Sequence, residues 1–399
     1  MYIRQQIMLS FEEIEIFSGS SKLELILSEV DLTEFIPDLG VDLYRTGPKG
    51  YSRQAMLYAL MARIVEQIPT IKGLYDRLKQ EPRFRYICGF DPFQAPPSEA
   101  TFSRFARQLA KTDVMDRLFI QLRDQAREQG IILEEAIALD STHVPAFEKA
   151  VPRSKCKKEE GQPSWSVKTN SEGNQFYWFG WKVHIICDAF SGLPVEIKTT
   201  SAHHHDSVVA VEILKQLPYK PLIYTLDKGY DTVEIYDYIV NEQDELAIIP
   251  YNYRSAKTSP EGMTDKLAPM CSGGYALTYW GRDGDRLKYR CPHVMGDCNC
   301  PHGTAWCSSS NYGYTQKVKF RERPRLFPGI ARTSKKFKEL SKLRSSVERC
   351  NHRLKNHLML ESLRSSGIKA ADMHFKLCAT LLIAGTIAVN RVKNQLKAA

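Results

Sequence analysis

The spacing of apolar residues changes once, near residue 132, and that change limits the chain to a helical part followed by a sheet-based part. From about residue 20 to 130 apolar side chains recur every three or four positions. Ala55, Leu57, Leu60 and Ile64 follow Ser52 in this way, and Leu74, Tyr75 and Leu78 follow Thr70. Pro96-Pro97-Ser98-Glu99 reads as a helix start with Ser98 as N-cap. From Glu134 the period is that of strands. Ala136 to Leu139 is an apolar run ending at Asp140, Phe176 to Asp188 is rich in aromatic and β-branched residues, and Leu193 to Thr199 follows the turn Ser191-Gly192. A helix from about Asp206 to Leu217, a strand from Leu222 to Leu226, a helix from Thr232 to Asn241 and a strand from Leu246 to Pro250 complete the order βββαβαβ. That order predicts an α/β fold with a mixed sheet.

The division follows from the pattern. Residues 1–131 read as an all-helical domain, 132–251 as the first part of the α/β core, 252–334 as an inserted Cys-rich and basic subdomain, and 335–399 as helices that complete the core. Arg153 to Gly173 is a polar, charged tract with no evident period. Asp206, after His203-His204-His205, reads as a helix N-cap, and Trp178, Phe179 and Trp181 read as strand residues packed in the sheet.

Charge is concentrated. The chain has 55 Lys and Arg against 46 Asp and Glu, and Lys317 to Lys355 alone holds fourteen basic residues against three acids. One segment therefore carries the excess, which favours a polyanionic partner. The start, MYIRQQIMLSFEEIEIF, has acids where an export signal needs an apolar core, and the apolar stretch Leu377 to Val389 is too short to span a bilayer. A cytoplasmic protein with no membrane partner is expected.

Carboxylates at the carboxyl ends of two strands, Asp140 and Asp227, can meet in one crevice of an open α/β sheet. Glu348 lies in the helical stretch LRSSVERCNHRLK. At about 100° per residue from Arg344, Glu348 falls near 40°, Asn351 near −20° and Lys355 near 20°, so the four share one narrow face. Three such acids suit a pair of Mg²⁺ or Mn²⁺ ions, which prefer carboxylate oxygen and serve phosphoryl transfer. Arg344 and Lys355 would then grip phosphates. A second metal candidate is Cys291, Cys298, Cys300 and Cys307, with His293 or His302 as substitutes and Cys271 upstream. These could tie a loop-rich insert with structural Zn²⁺, although their spacing is irregular and free thiols are the alternative.

These blocks together resemble the DDE transposases of bacterial insertion sequences, in the branch whose third acid lies in a Y-x2-R-x3-E-x6-K signature. Ser341, Arg344, Glu348 and Lys355 match it at three of four positions, with serine in place of tyrosine. ALDSTHV around Asp140 resembles the D-S-T strand, WFGWKVHIICD the G-x-K-x-H strand, and LDKGYD the block around Asp227. GYSRQAMLYALMARI, YICGF and SEATFSRFARQL resemble the helical N-terminal domain of such enzymes.

The resemblance implies an RNase H-like core that binds the terminal inverted repeats of its element, nicks double-stranded DNA with water and joins the 3′-hydroxyl ends to target DNA. Asp140, Asp227 and Glu348 become metal ligands, and Arg344, Lys355, Ser341 and Asn351 become DNA contacts. A homodimer in the synaptic complex is expected, and association with the nucleoid when DNA is bound. The alternative is a DNA-binding protein of the same descent that no longer cuts, and a zinc hydrolase built on the His and Cys residues would leave the three acids unexplained.

Overall fold

The computed structural model describes residues 21–39, 50–169, 172–254 and 258–398. The expected lack of an export signal concerns residues outside this range. Six helices open the described chain: α1 (Lys22–Leu27), α2 (Arg53–Val65), α3 (Ile71–Gln80), α4 (Pro82–Ile87), α5 (Glu99–Leu109) and α6 (Val114–Glu128). Three of them begin where the hydroxyl residues predict. Ser52, Thr70 and Ser98 each accept a backbone N–H from three residues on, at 3.3, 2.9 and 3.3 Å, satisfying a donor that the first helical turn leaves without a partner.

The main sheet has strands β1 (Ala136–Pro145), β2 (Ser164–Thr169), β3 (Gln175–Asp188), β4 (Pro194–Ser201), β5 (Ile223–Leu226) and β6 (Leu246–Ile248). Its order is β2-β3-β1-β5-β6, with β4 also paired to β3. The β1–β3, β2–β3 and β3–β4 pairs are antiparallel, and β1–β5 and β5–β6 are parallel. Helix α7 (Asp206–Leu214) follows β4. A helix over 233–242 follows β5, beginning as α8 (Val233–Tyr236) and widening into a π turn (Asp237–Glu242). The wide turn lets Ile235, Tyr236, Tyr238, Ile239 and Val240 all be buried, a broader apolar face than 3.6 residues per turn offers.

Three expectations are corrected here. The tract at Arg153 to Gly173 supplies β2, because the first half of the 14-residue β3 runs past β4 and pairs Gln175–Gly180 with Ser164–Thr169. Asp140 lies inside β1 rather than at its end, since β1 continues to Pro145 along β3. His205, not Asp206, occupies the cap position of α7, and Asp206 is its first helical residue.

Residues 252–334 form a second, antiparallel sheet of β7 (Thr278–Asp283), β8 (Arg286–Arg290) and β9 (Thr315–Lys319), with the Cys-rich loop joining β8 to β9. This part shares a hydrophobic core with the main sheet: Leu287, Tyr289, Phe320 and Phe327 pack in one cluster with Leu226, Ile239 and Ala247. The first of the helices expected over 335–399 is broken into α9 (Lys335–Ser341), a 3-10 turn (Lys342–Arg344) and α10 (Ser345–His357). The last helix, α11 (Ile368–Ala398), is long and apolar enough to cross a membrane by those two measures, but most of its apolar length is buried within the molecule. It packs on α6 and β4, and on α1 and α2.

Candidate active site

Two aspartates leave the parallel ladder side by side. β1 and β5 pair in register up to Leu139 opposite Leu226, so the next residues, Asp140 and Asp227, are neighbours at the carboxyl end of that pairing. Side-chain alternation fixes their direction. Ile137, Leu139 and Leu226 belong to the core on one side of the sheet, so Asp140 and Asp227, one residue on, face the other side. There Ala138 and Val144 of β1 pack with Val347, Cys350 and Leu354 of α10.

α10 runs along β1. Its Ser346 Oγ lies 3.5 Å from Cys187 Sγ, at the level of Ala138, which pairs with Cys187. Its Lys355 Nζ donates to the His143 carbonyl at 3.3 Å. Glu348, two residues past Ser346, therefore stands near the level of Asp140. The face predicted for Arg344, Glu348, Asn351 and Lys355 flanks the buried face of the helix formed by Ser346, Val347, Cys350 and Leu354.

Of the residues expected at the site, all on this helical stretch but Asn351 already have a partner. Arg344 and Glu348 form an ion pair at 2.8 Å, and Lys355 pairs with Glu361 at 2.6 Å. Ser341 donates its hydroxyl to the Lys338 carbonyl at 2.8 Å. The Asn351 Oδ1 is sealed from solvent without a hydrogen-bond partner.

Electrostatics single out Asp140. Burial pushes its carboxyl up to about 6; the Ser141 N–H, 2.8 Å away, opposes that, while the charges of Asp227 and Asp206 add to it and Lys168 subtracts. The second aspartate of LDKGYD behaves differently. Asp231 is fully buried and accepts from Tyr236 at 2.9 Å, from the Asn252 N–H at 2.9 Å, and from Arg325 at 3.0 and 2.7 Å. It is a structural tie, and Asp227 is the half-exposed member of the pair.

Three residues near the crevice were missed by the sequence reading. Asp206 is held by Lys182 at 3.0 Å and lies 3.9 Å from His184 Nδ1. Burial, then the carboxylates of Asp140 and Asp206, push the Tyr230 phenol far above its ordinary value, so it stays protonated. Lys168 of β2 acts on Asp140 from a strand that the sequence reading left without structure. Tyr230 and Asp206 stand within motifs already singled out, LDKGYD and HHHD; Lys168 gave no signal.

The cysteines of the insert are free thiols. Burial first, then the neighbouring thiols Cys300, Cys291 and Cys271, raise the Cys298 thiol, and Cys307 Sγ contacts the Thr304 carbonyl at 3.7 Å. His293 Nδ1 accepts the Cys300 N–H at 3.3 Å, and His302 stacks on Trp306. Among the described residues no three His, Cys, Asp or Glu side chains stand together at metal-binding distance. The four predicted zinc ligands as arranged do not form a tetrahedral set, and no role is derived from one.

Asp140 and Asp227 thus stand side by side on adjacent parallel strands of a mixed sheet, and Glu348 is carried by the helix packed over the same face. Residues 132–383 match the family model of the transposase DDE domain, and residues 12–108 match a further model, transposase domain (DUF772). The first match spans well over half the chain, and the protein belongs to the DDE transposases. Among solved structures it is similar to the piggyBac transposase synaptic complex with hairpin DNA, determined by cryo-EM. The identity is 12%, the TM-score 0.40, and the match covers 93% of this chain and 75% of that one.

Proposed function

We propose that this transposase cuts and joins DNA at the crevice between β1, β5 and α10, with Asp140, Asp227 and Glu348 as its acids. The register that sets Asp140 beside Asp227 carries the reading. The order β4-β3-β1-β5-β6, three antiparallel strands followed by two parallel to the central one, is that of an RNase H-like core, with β2 as an addition.

The donors are carboxylate oxygens, and a hard divalent cation would offset both the burial that chiefly raises Asp140 and the smaller push from the Asp227 and Asp206 charges, so Asp140 and Asp227 fit Mg²⁺ or Mn²⁺. Glu348 would join them by exchanging Arg344 for the metal. When bound, such a metal supplies Lewis-acid stabilisation of charge on the phosphate oxygens. The chain's own residues do the rest. Arg344, once released, and Lys168 present cations to the DNA backbone beside the acids. The substrate is double-stranded DNA at the inverted repeats of the element, and a homodimer holds the two ends in a synaptic complex. A DNA substrate of this kind favours a cytoplasmic protein, at the nucleoid when bound to DNA.

Cleavage of a labelled duplex carrying one element end tests this. Asp140→Asn, Asp227→Asn and Glu348→Gln keep side-chain size while removing charge, and each is expected to lower Mg²⁺-dependent cleavage by orders of magnitude with end binding retained. Near-parental cleavage by Glu348→Gln would move the third acid elsewhere, and near-parental cleavage by Asp140→Asn would remove the site.

A further inference from the structure

Arg63, near the end of α2, is only 5% exposed, and among the described residues no carboxylate pairs with it. Its guanidinium makes one long hydrogen bond, Nη1 to the Ile68 carbonyl at 3.4 Å, and its Nε is sealed from solvent with no partner. Arg123, just as buried, shows the usual arrangement: it has Asp124 at 3.0 Å and Glu196 at 3.8 Å. An unpaired charge inside a protein is costly, and a group that neutralises it gains correspondingly.

A cavity of about 340 Å³ opens beside Arg63, between α2, α5, the loop after α10 and the start of α11. Its polar lining comprises Arg63, Arg107, Arg364, Ser103, Ser365 and Ser366, with no Asp or Glu among the lining residues. Two of the arginines are already oriented through Nε: Arg107 to the Ser103 carbonyl at 3.2 Å and Arg364 to the Pro69 carbonyl at 2.7 Å. His374 also lines the cavity but spends its Nε2 on the Met359 carbonyl at 3.0 Å. Three guanidinium groups and three hydroxyls around a recess without an acid form a surface rich in donors and free of carboxylate. Guanidinium forks match the geometry of tetrahedral oxyanions.

We infer that this cavity is a phosphate-binding site in which Arg63, Arg107 and Arg364 hold the oxyanion and the serine hydroxyls complete its hydrogen bonds. It lies at the seam of the N-terminal helices and α11 and does not depend on the reading of the acidic crevice. The phosphate comes either from solution or from the backbone of bound DNA, and the test separates the two.

The full-length protein is heated with increasing inorganic phosphate, against chloride at matched ionic strength. The parent is expected to show a saturable rise in Tm that chloride does not reproduce, because a ligand bound only by the folded state stabilises it. Arg364→Gln, at the rim, should lose that response while folding normally. Arg63→Met should lose it too, with an unliganded Tm no lower than the parent's, since the substitution removes an unpaired buried charge. Competition then identifies the source. Phosphate that displaces a DNA duplex from the parent but not from Arg364→Gln marks a backbone phosphate; phosphate that stabilises without displacing DNA marks a free ion. Both outcomes support the site. A parent Tm that follows ionic strength alone, or variants that respond to phosphate as the parent does, would overturn it.

Discussion

Gly180 shows how a single residue can be fixed by its neighbours' backbone. A Cβ there would run into the Val144 carbonyl oxygen and lie 2.6 Å from the Ala146 nitrogen, because β1 and β3 cross at this point with Pro145 opposite Gly180. Gly180→Ala is therefore expected to cost about 1–3 kcal/mol, as overpacking does, read as a lower denaturation midpoint with little change in slope. The glycine was legible as part of G-x-K-x-H, but its cause was not, since it depends on a strand more than thirty residues earlier.

His374 gives a pH signature. Burial first, then the charge of Arg63 and, more weakly, Arg364, lower it from 6.5 to about 4, against the support of the Met359 carbonyl; the Cys378 thiol is its other close polar neighbour, at 3.7 Å. The unfolded chain thus binds a proton between about pH 6.5 and 4 that the folded chain refuses. The contribution is full above the unfolded value and lost as pH falls towards 4. From pH 7 to 5 this group alone should remove about 1–2 kcal/mol of stability. His374→Gln should flatten that part of the pH profile in urea unfolding.

Local pattern was enough to bring Asp140 beside Asp227, since each follows an apolar run and the two runs pair in register, but it ended β1 at Asp140 where the strand continues to Pro145 along β3. The apolar run of β5 points to Asp227 rather than Asp231, but the partner that claims Asp231, Arg325, lies far along the chain and leaves no local trace.

The tie between Asp231 and Arg325 fastens the segment before α9 to the turn after β5. Arg325→Met would leave a fully buried carboxylate without its cation, a change of the kind that costs about 3–5 kcal/mol. Limited proteolysis should then cut within residues 252–334 while the helices resist, and an unchanged digestion pattern would show the tie to be dispensable. Elements with their own period, such as α2, α5 and β3, were readable because each buries a face that repeats along it. β2 was not, since half of it is exposed and only the overhang of β3 gives it a partner. The break at Lys342–Arg344 was equally hidden: α9 packs against β6, while the turn that follows it lies over β1 and β5.

The basic segment looks different once it is folded. Of the fourteen cations between Lys317 and Lys355, Arg325 is spent on Asp231, and Arg332 on the carbonyls of Ile249, Leu326 and Arg325 and the Tyr236 hydroxyl. Arg321 is spent on Asp244 and the Val240 carbonyl. DNA affinity should fall as salt rises, with a slope reporting well under fourteen released counterions, because each phosphate contact contributes roughly 0.9 to it. A titration of duplex binding from 50 to 200 mM salt measures this, and a flat response would exclude the segment from the interface. The core, by contrast, runs across the expected division at residue 131. One hydrophobic cluster contains Leu57 and Phe102 of the N-terminal helices, Val183 and Val195 of the sheet, Val347 of α10 and Phe375 and Leu382 of α11.

That shared cluster bears on how the protein is made. α1, α2, α6 and β4 all rest on α11, so segments translated early keep apolar faces bare until residues 368–398 have emerged. Chains normally fold in the order in which their domains appear; here the earliest helices wait for one of the latest. A chain interrupted before α11 would leave an unfinished core prone to aggregation and degradation, rather than a shortened enzyme loose on the DNA.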